Sequence, residues 1–236
     1  GIQADCRLFL EDALATVASK KLSRSKADRG RAVSTIAAYR KKERDIFYNV
    51  DLDSRPIKPQ LIVKVLEKVA RKDAIFVMGS GHNTHFSNFL TIRRPDGYHY
   101  SIGSGTMAWA FAAALGIKLA LPGRQVIVAT GDGDFGMNAQ EIETAVRENI
   151  PVTVIIYNDT SFGALRIFQK GFYGDRQLGS NYGETDYVKL AQAYGAAGFR
   201  VDDPKDLEPT VVRALGSNEV TIIDVRIDPW QLAHRS

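Results

Sequence analysis

Cysteine is nearly missing from this sequence, with one residue, Cys6, in 236. A single thiol excludes an internal disulfide and a multi-cysteine metal site. It reads as a small buried hydrophobe rather than a nucleophile. Long apolar runs are missing as well, and none approaches the roughly 18 residues that a membrane-spanning helix needs. The opening GIQADCRLFLEDAL carries acids early and has no cleavable apolar core, unlike a secretory signal. These absences read together as a cytoplasmic protein without a membrane partner. Histidine is scarce, at four residues, and no spacing of His with Asp or Glu suggests zinc. Repeats and low-complexity tracts are absent. What is there, 44% apolar and 25% charged residues, is the composition of one sizeable globular core.

The net charge of +4 is unevenly placed. Ten basic residues and two acids lie between Lys20 and Arg44. Such a stripe could meet nucleic acid, but Tyr39 is its only aromatic residue and no nucleic-acid motif accompanies it. A solvated helical connector at 19–56 is the simpler reading, with no nucleic-acid partner. Before it, Leu8, Leu10, Leu14 and Val17 give residues 1–18 a helical apolar stripe. After it, the proline-containing NVDLDSRPIKP (49–59) reads as a boundary.

From residue 57 onward strand and helix patterns alternate. AIFVM (74–78), QVIVAT (125–130), PVTVIIY (151–157), AGFRV (197–201) and EVTIIDVRI (219–227) are β-leaning runs. Helical patterns separate them at 60–71, 107–121, 141–149, 186–195 and 206–216. The 107–121 stretch is apolar on nearly all sides and predicts a buried helix, and Asn138 with Glu141 predicts a capping box. The alternation predicts an α/β fold, a parallel sheet with helices on both faces. Ligands in such sheets bind beyond the carboxyl ends of the strands. Here those ends lead into 79–85, 131–137 and 158–163.

The middle loop reads GDGDFG, residues 131–136, which satisfies G-x-G-x-x-G directly after a strand. A dinucleotide-binding turn is one reading, with Asp159 as the acid that binds a ribose. Asp132 opposes it, because a carboxylate between those glycines would face the phosphates at close range. Two like charges about 4 Å apart repel by about 4 kcal/mol at an effective dielectric near 20. A divalent cation reverses the sign, since carboxylate and diphosphate then become ligands of one hard ion. Asp159 follows Asp132 by 27 residues, at the end of the next strand. If the two strands are neighbours, both carboxylates reach one place.

GDG followed by about two dozen residues and a strand-terminal Asn-Asn resembles the signature of the thiamine diphosphate (ThDP)-dependent decarboxylases and carboligases. Here it stands as GDGDFGMNAQEIETAVRENIPVTVIIYND. The resemblance extends to GSGHN (79–83), GTMAWAFAAALGIKLALP (105–122), FGALRIFQKGFY (162–173) and DYVKLAQAYGAAGFRV (186–201), and is nearest to acetolactate synthase-like members. It implies the diphosphate-binding domain of a ThDP- and Mg²⁺-dependent enzyme at 57–236, with residues 1–18 similar to the tail of a preceding central domain. Asp132, Asp159 and the Ser161 carbonyl would be the metal ligands. Ser80, Gly81, His82, Gly131, Gly133 and Asp134 would line the cofactor with Phe162, and Met107 would bend it. The Gly105 carbonyl would accept from its 4′-amino group. Asp159 departs from the family's second Asn and adds a charge.

The glutamate that serves the cofactor's pyrimidine belongs to a separate domain of the family and has no counterpart here. The resemblance therefore implies a required pyrimidine-binding domain or subunit, and a homodimer or homotetramer. The implied activity is decarboxylation of a 2-oxo acid followed by C–C bond formation, or decarboxylation alone. Phe162, Leu165 and Phe168 are candidates for the substrate pocket, or for the ordinary packing of an amphipathic turn. Ala164 and Phe168 stand where acetolactate synthases carry Met and Trp. His82 reads equally as a phosphate contact or a loop hydrogen bond, and isolated His85 and His99 as incidental.

Overall fold

The computed structural model describes residues 1–20, 26–101 and 103–233. The chain divides into two compact units, Gly1–Ile46 and Phe47–Ser236. The first holds helix α1 (Cys6–Ser19) and most of α2 (Lys26–Phe47). Asp5 caps α1 by accepting from the Arg7 and Leu8 amides, and no residue of α1 is buried. Cys6 is exposed, not the buried residue predicted, because α1 has no buried face to receive it. The basic stretch forms α2 as expected, apart from 21–25, which lie outside the described residues. Phe47, from the stretch read as connector, and Ile57, the first residue of the expected domain, both join the core of the second unit. Ile57 forms a parallel bridge to Ile227.

The second unit runs α3 (Pro59–Val69), β1 (Ile75–Met78), α4 (His82–Ser87), β2 (Tyr98–Tyr100), α5 (Trp109–Ala120), β3 (Val126–Gly131), α6 (Asp132–Gly136), α7 (Glu141–Arg147), β4 (Thr153–Asn158), α8 (Gly163–Phe172), α9 (Tyr187–Ala193), β5 (Ala197–Val201), α10 (Pro204–Gly216) and β6 (Thr221–Arg226). The strands form one six-stranded sheet in the order β2-β1-β3-β4-β6-β5, and every pairing is parallel. Strand side chains alternate between two apolar layers. Ile127, Ala129, Ile155, Tyr157 and Ile223 face α3 and α10. Val126, Val128, Val154, Ile156 and Ile222 face α5, α7 and α9. Both faces are covered, which is why β4 is buried at all six positions and reads as a continuous apolar run.

Three local predictions need correction. Residues 82–87 form a helix rather than loop, because Phe86 is fully buried and the Thr84 and Asn83 side chains bond the Gly79 and Ala129 carbonyls. Helix α5 is buried on one face only. Ala110, Phe111, Ala114 and Leu115 meet the sheet, and Leu119 stays exposed. The Asn138–Glu141 box does not form. Gln140 precedes α7, and the Asn138 amide is bonded instead to the Ala108 carbonyl.

The chain leaves β1 outward to β2 and returns to β3, so the β1/β3 boundary is the switch point of this sheet. Since β3 pairs directly with β4, with Gly131 opposite Tyr157, Asp132 and Asp159 emerge side by side.

Candidate active site

Every residue proposed from sequence for cofactor or metal lines one cavity of about 250 Å³ at the carboxyl ends of β1, β3 and β4. Its β1 wall starts at Gly79, whose N–H donates to the Ala129 carbonyl at 2.8 Å. A Cβ at Gly79 would run into Thr130 and Asp134, so only glycine lets the strand end approach β3. The Ser80 hydroxyl donates to the Gly105 carbonyl at 2.5 Å. That carbonyl thus already has one protein donor.

Asp134 ties three segments together. One carboxylate oxygen accepts from the Ser80 amide at 2.8 Å and the Thr130 hydroxyl at 2.6 Å. The other accepts from the Ala108 amide at 2.5 Å. Both oxygens accept from protein donors, and Asp134 lines the cavity. Ala108 is left-handed, φ 67°, a conformation that costs a side-chain-bearing residue about 1–3 kcal/mol. Asp134 holds its N–H and Asn138 its carbonyl, and this double tie fixes neighbouring Met107 in the cavity wall.

Asp132 opens α6 with only 2% of its surface exposed, and its Oδ2 has no hydrogen-bond partner among the described residues. Burial, and then the charge of Asp159, push its carboxyl up to about 7. Asp159 is half of a buried ion pair with Arg166 at 2.7 Å. Its other oxygen accepts from the Ser161 amide at 3.2 Å and hydroxyl at 3.0 Å. Burial raises its carboxyl too, with Arg166 opposing. The Ser161 carbonyl accepts from Tyr182 Oη at 3.3 Å, and Tyr182 lies close enough to Asp132 to hold its carboxyl down against the effect of burial. No group of three or more His, Cys, Asp or Glu that could hold a metal occurs among the described residues. A cation here would therefore take two carboxylates and the Ser161 carbonyl, an all-oxygen set suited to a hard ion. The unpartnered buried oxygen of Asp132 fits that role.

His82 lies against Phe86, ring centroids 5.0 Å apart. Burial foremost, then His85 and Arg166, depress its imidazole to about 4, so it is neutral at pH 7 and would meet a phosphate as an N–H donor. Phe162 packs edge-on to Tyr182 at 5.1 Å and, with Leu165, lines the cavity. Phe168 does not. It sits exposed on α8 in an adjoining apolar groove with His85. His99 lies on edge strand β2, 3.1 Å from the Asp96 carbonyl. Tyr182 lies outside every motif the sequence offered, and Arg166, though inside the FGALRIFQKGFY stretch, was not singled out there.

Residues 79–225, more than half of the chain, match the family model for "Thiamine pyrophosphate enzyme, C-terminal TPP binding domain". This chain belongs to that family. Similar relatives include the probable acetolactate synthase large subunit of Methanococcus aeolicus, 36% identical over 76% of this chain and 31% of the relative. The acetolactate synthase isozyme 3 large subunit of Escherichia coli K12 is 34% identical over 75% of this chain and 32% of its own. A solved structure, the thiamine diphosphate-dependent 4-hydroxybenzoylformate decarboxylase of Rhodococcus jostii RHA1, superposes with a TM-score of 0.70 at 30% identity. It shares 74% of this chain and 33% of its own. The chain thus spans about a third of the length of these relatives, and in them the TPP-binding domain is one part of a larger enzyme. Membership replaces the dinucleotide reading of GDGDFG. No helix among the described residues is long and apolar enough to cross a membrane.

Proposed function

We propose that this TPP-binding domain serves a Mg²⁺- and ThDP-dependent enzyme acting on 2-oxo acids, an acetolactate synthase-like carboligase. The observation that carries this reading is the buried, unpartnered oxygen of Asp132 facing Asp159 at the mouths of neighbouring strands. When bound, ThDP supplies the electron sink for cleaving the bond between a 2-oxo acid's carbonyl carbon and its carboxylate. The chain's own residues hold and enclose it. Asp132, Asp159 and the Ser161 carbonyl anchor the cation that carries the diphosphate. Ser80, Gly81, His82 and Gly133 line that diphosphate, and Met107 braces the body of the cofactor. Phe162 and Leu165 exclude water above it. The pyrimidine-side glutamate comes from another domain or from a second copy in a homodimer or homotetramer.

Calorimetry tests the reading. ThDP should bind only when Mg²⁺ is present and NAD should not bind. Metal-independent NAD binding, or ThDP binding indifferent to Mg²⁺, would refute it. Gly133→Ala should weaken ThDP binding by about tenfold or more. Its Cβ would lie 2.8 Å from the Phe162 ring and 2.9 Å from the Tyr182 hydroxyl, so the aromatic wall must move. Unchanged affinity would show that this wall does not bound the cofactor.

Simple decarboxylation is the second reading. It is favoured by the likeness to the Rhodococcus decarboxylase and by the small Ala164 in the cavity wall. Product analysis on the full-length protein with pyruvate separates the two, 2-acetolactate against acetaldehyde.

A further inference from the structure

Arg166 is buried, with 6% of its side chain exposed, like its partner Asp159. One terminal nitrogen donates to Asp159 Oδ2 at 2.7 Å and to the Pro229 carbonyl at 2.5 Å. Its guanidinium covers the Trp230 ring at 4.7 Å, and Lys170, one turn further along α8, lies over the same ring at 4.1 Å. The segment that bears Trp230 is itself anchored. Asp228 accepts from the Trp230 amide at 2.8 Å, its own amide donates to the Ile57 carbonyl at 2.9 Å, and its carboxylate pairs with Lys58. Arg166 is therefore held from two sides before Asp159 meets it.

This arrangement changes what Asp159 presents to the cavity. Two carboxylates emerge from adjacent strands into one buried site, and a diphosphate would bring further negative charge. Arg166 engages Oδ2 in the ion pair. The remaining oxygen, Oδ1, is steered by Ser161. A carboxylate so engaged offers one oxygen and little net charge, which is what an uncharged amide would offer.

Resting on the functional reading above, we propose that Arg166 is a positioning residue of the cofactor site. It is the permanent counter-charge that makes Asp159 act as a one-oxygen, charge-neutral ligand, and it couples the C-terminal segment at Trp230 to the cation. The pair is a unit, and neither member is useful alone. Breaking it from one side leaves an uncompensated buried charge, whereas removing both charges does not.

A double-variant cycle in the full-length protein tests this, with Mn²⁺ as a spin probe, ThDP calorimetry at saturating Mg²⁺, and Trp230 emission taken as the difference from a matched Trp230→Phe protein. Arg166→Met should leave a second free carboxylate. Mn²⁺ alone then binds as tightly as before or tighter, ThDP binds about tenfold or more weakly, and Trp230 emission shifts. Asp159→Asn should leave an unpaired guanidinium, and Mn²⁺ binds about tenfold or more weakly. Combining the two should bring both affinities back to within about threefold of the parent, a strong coupling of the kind expected for contacting groups. The double variant leaves neither member of the pair charged and unpaired, so it reports even where a single variant folds poorly. Additive losses in the double variant, or a single Arg166→Met variant with both affinities unchanged, would overturn the inference alone. A parent protein that binds ThDP with no divalent cation would overturn the functional reading beneath it.

Discussion

Asp132→Asn should yield a protein that is more stable than its parent at pH 8 and takes up no ThDP with Mg²⁺. Burial and the neighbouring Asp159 raise the Asp132 carboxyl from its ordinary 3.8 to about 7. An acid whose folded pKa lies above its unfolded value binds its proton more tightly in the folded state. Its contribution to stability is therefore largest below about pH 4, falls as pH rises through about 7, and stays low above that. At pH 8 the folded chain holds this carboxylate ionised at a cost of about 2–4 kcal/mol. The amide carries no charge to hold, so its stability should not decline over that window. Urea denaturation at pH 5 and pH 8 checks the first half, with the parent losing ground to the variant as pH rises. Thermal shift with Mg²⁺ and ThDP checks the second, with the parent gaining stability and the variant not. A variant less stable than the parent at pH 8 would mean that the carboxylate is satisfied in a way its unpartnered oxygen does not show.

Asp134→Asn, two residues on, should act in the opposite direction. Asp134 is also buried, and burial also raises its carboxyl, but three donors converge on it. An amide has one accepting oxygen and one donating nitrogen. In either orientation its NH₂ must face at least one of the Ser80, Thr130 and Ala108 donors. A lost charge-assisted bond with a buried donor left unsatisfied comes to about 3–5 kcal/mol. For a domain of this size that is a fall in Tm of about 10 °C. Thr130→Val removes one donor of the three and should cost about 1 kcal/mol, which gives the graded comparison. Denaturation measured on both variants checks it. An Asp134→Asn protein within about 1 kcal/mol of the parent would show that the knot is dispensable.

These two aspartates also mark what was legible in the sequence. Asp132 was readable because its chemistry conflicts with its motif, a carboxylate inside a phosphate-binding glycine pattern. Asp159 was readable because β4 follows β3 by one short crossover and ends where its apolar run ends. The parallel sheet and its two covered faces were visible in runs such as TVIIYN, which no half-exposed strand would carry. Asp134 was seen as part of the site, but its engagement with Ser80 and Ala108 was not, because it depends on segments 54 and 26 residues away in sequence. The same holds for Tyr182, which arrives from a loop outside the motifs, whereas Arg166 sits inside one and was missed because only the turn into α8 brings it back onto Asp159. Strand β2 escaped for a different reason. It is three residues long and half-buried throughout, so it carries neither alternation nor an apolar run.

The Asp134 tie has an evolutionary consequence. The Ser80–Gly81–His82 turn and the Met107 shelf are both shaped by a carboxylate encoded well downstream of them. A fusion or shuffling event that exchanged the chain between Ala120 and Gly131 would separate the donors from their acceptor. Each half could keep its own secondary structure and still lose the geometry of the cofactor wall. A crossover inside the interval from Gly79 to Asn138 keeps the wall only where the incoming segment also supplies the acceptor at 134 or the donors at 80 and 108.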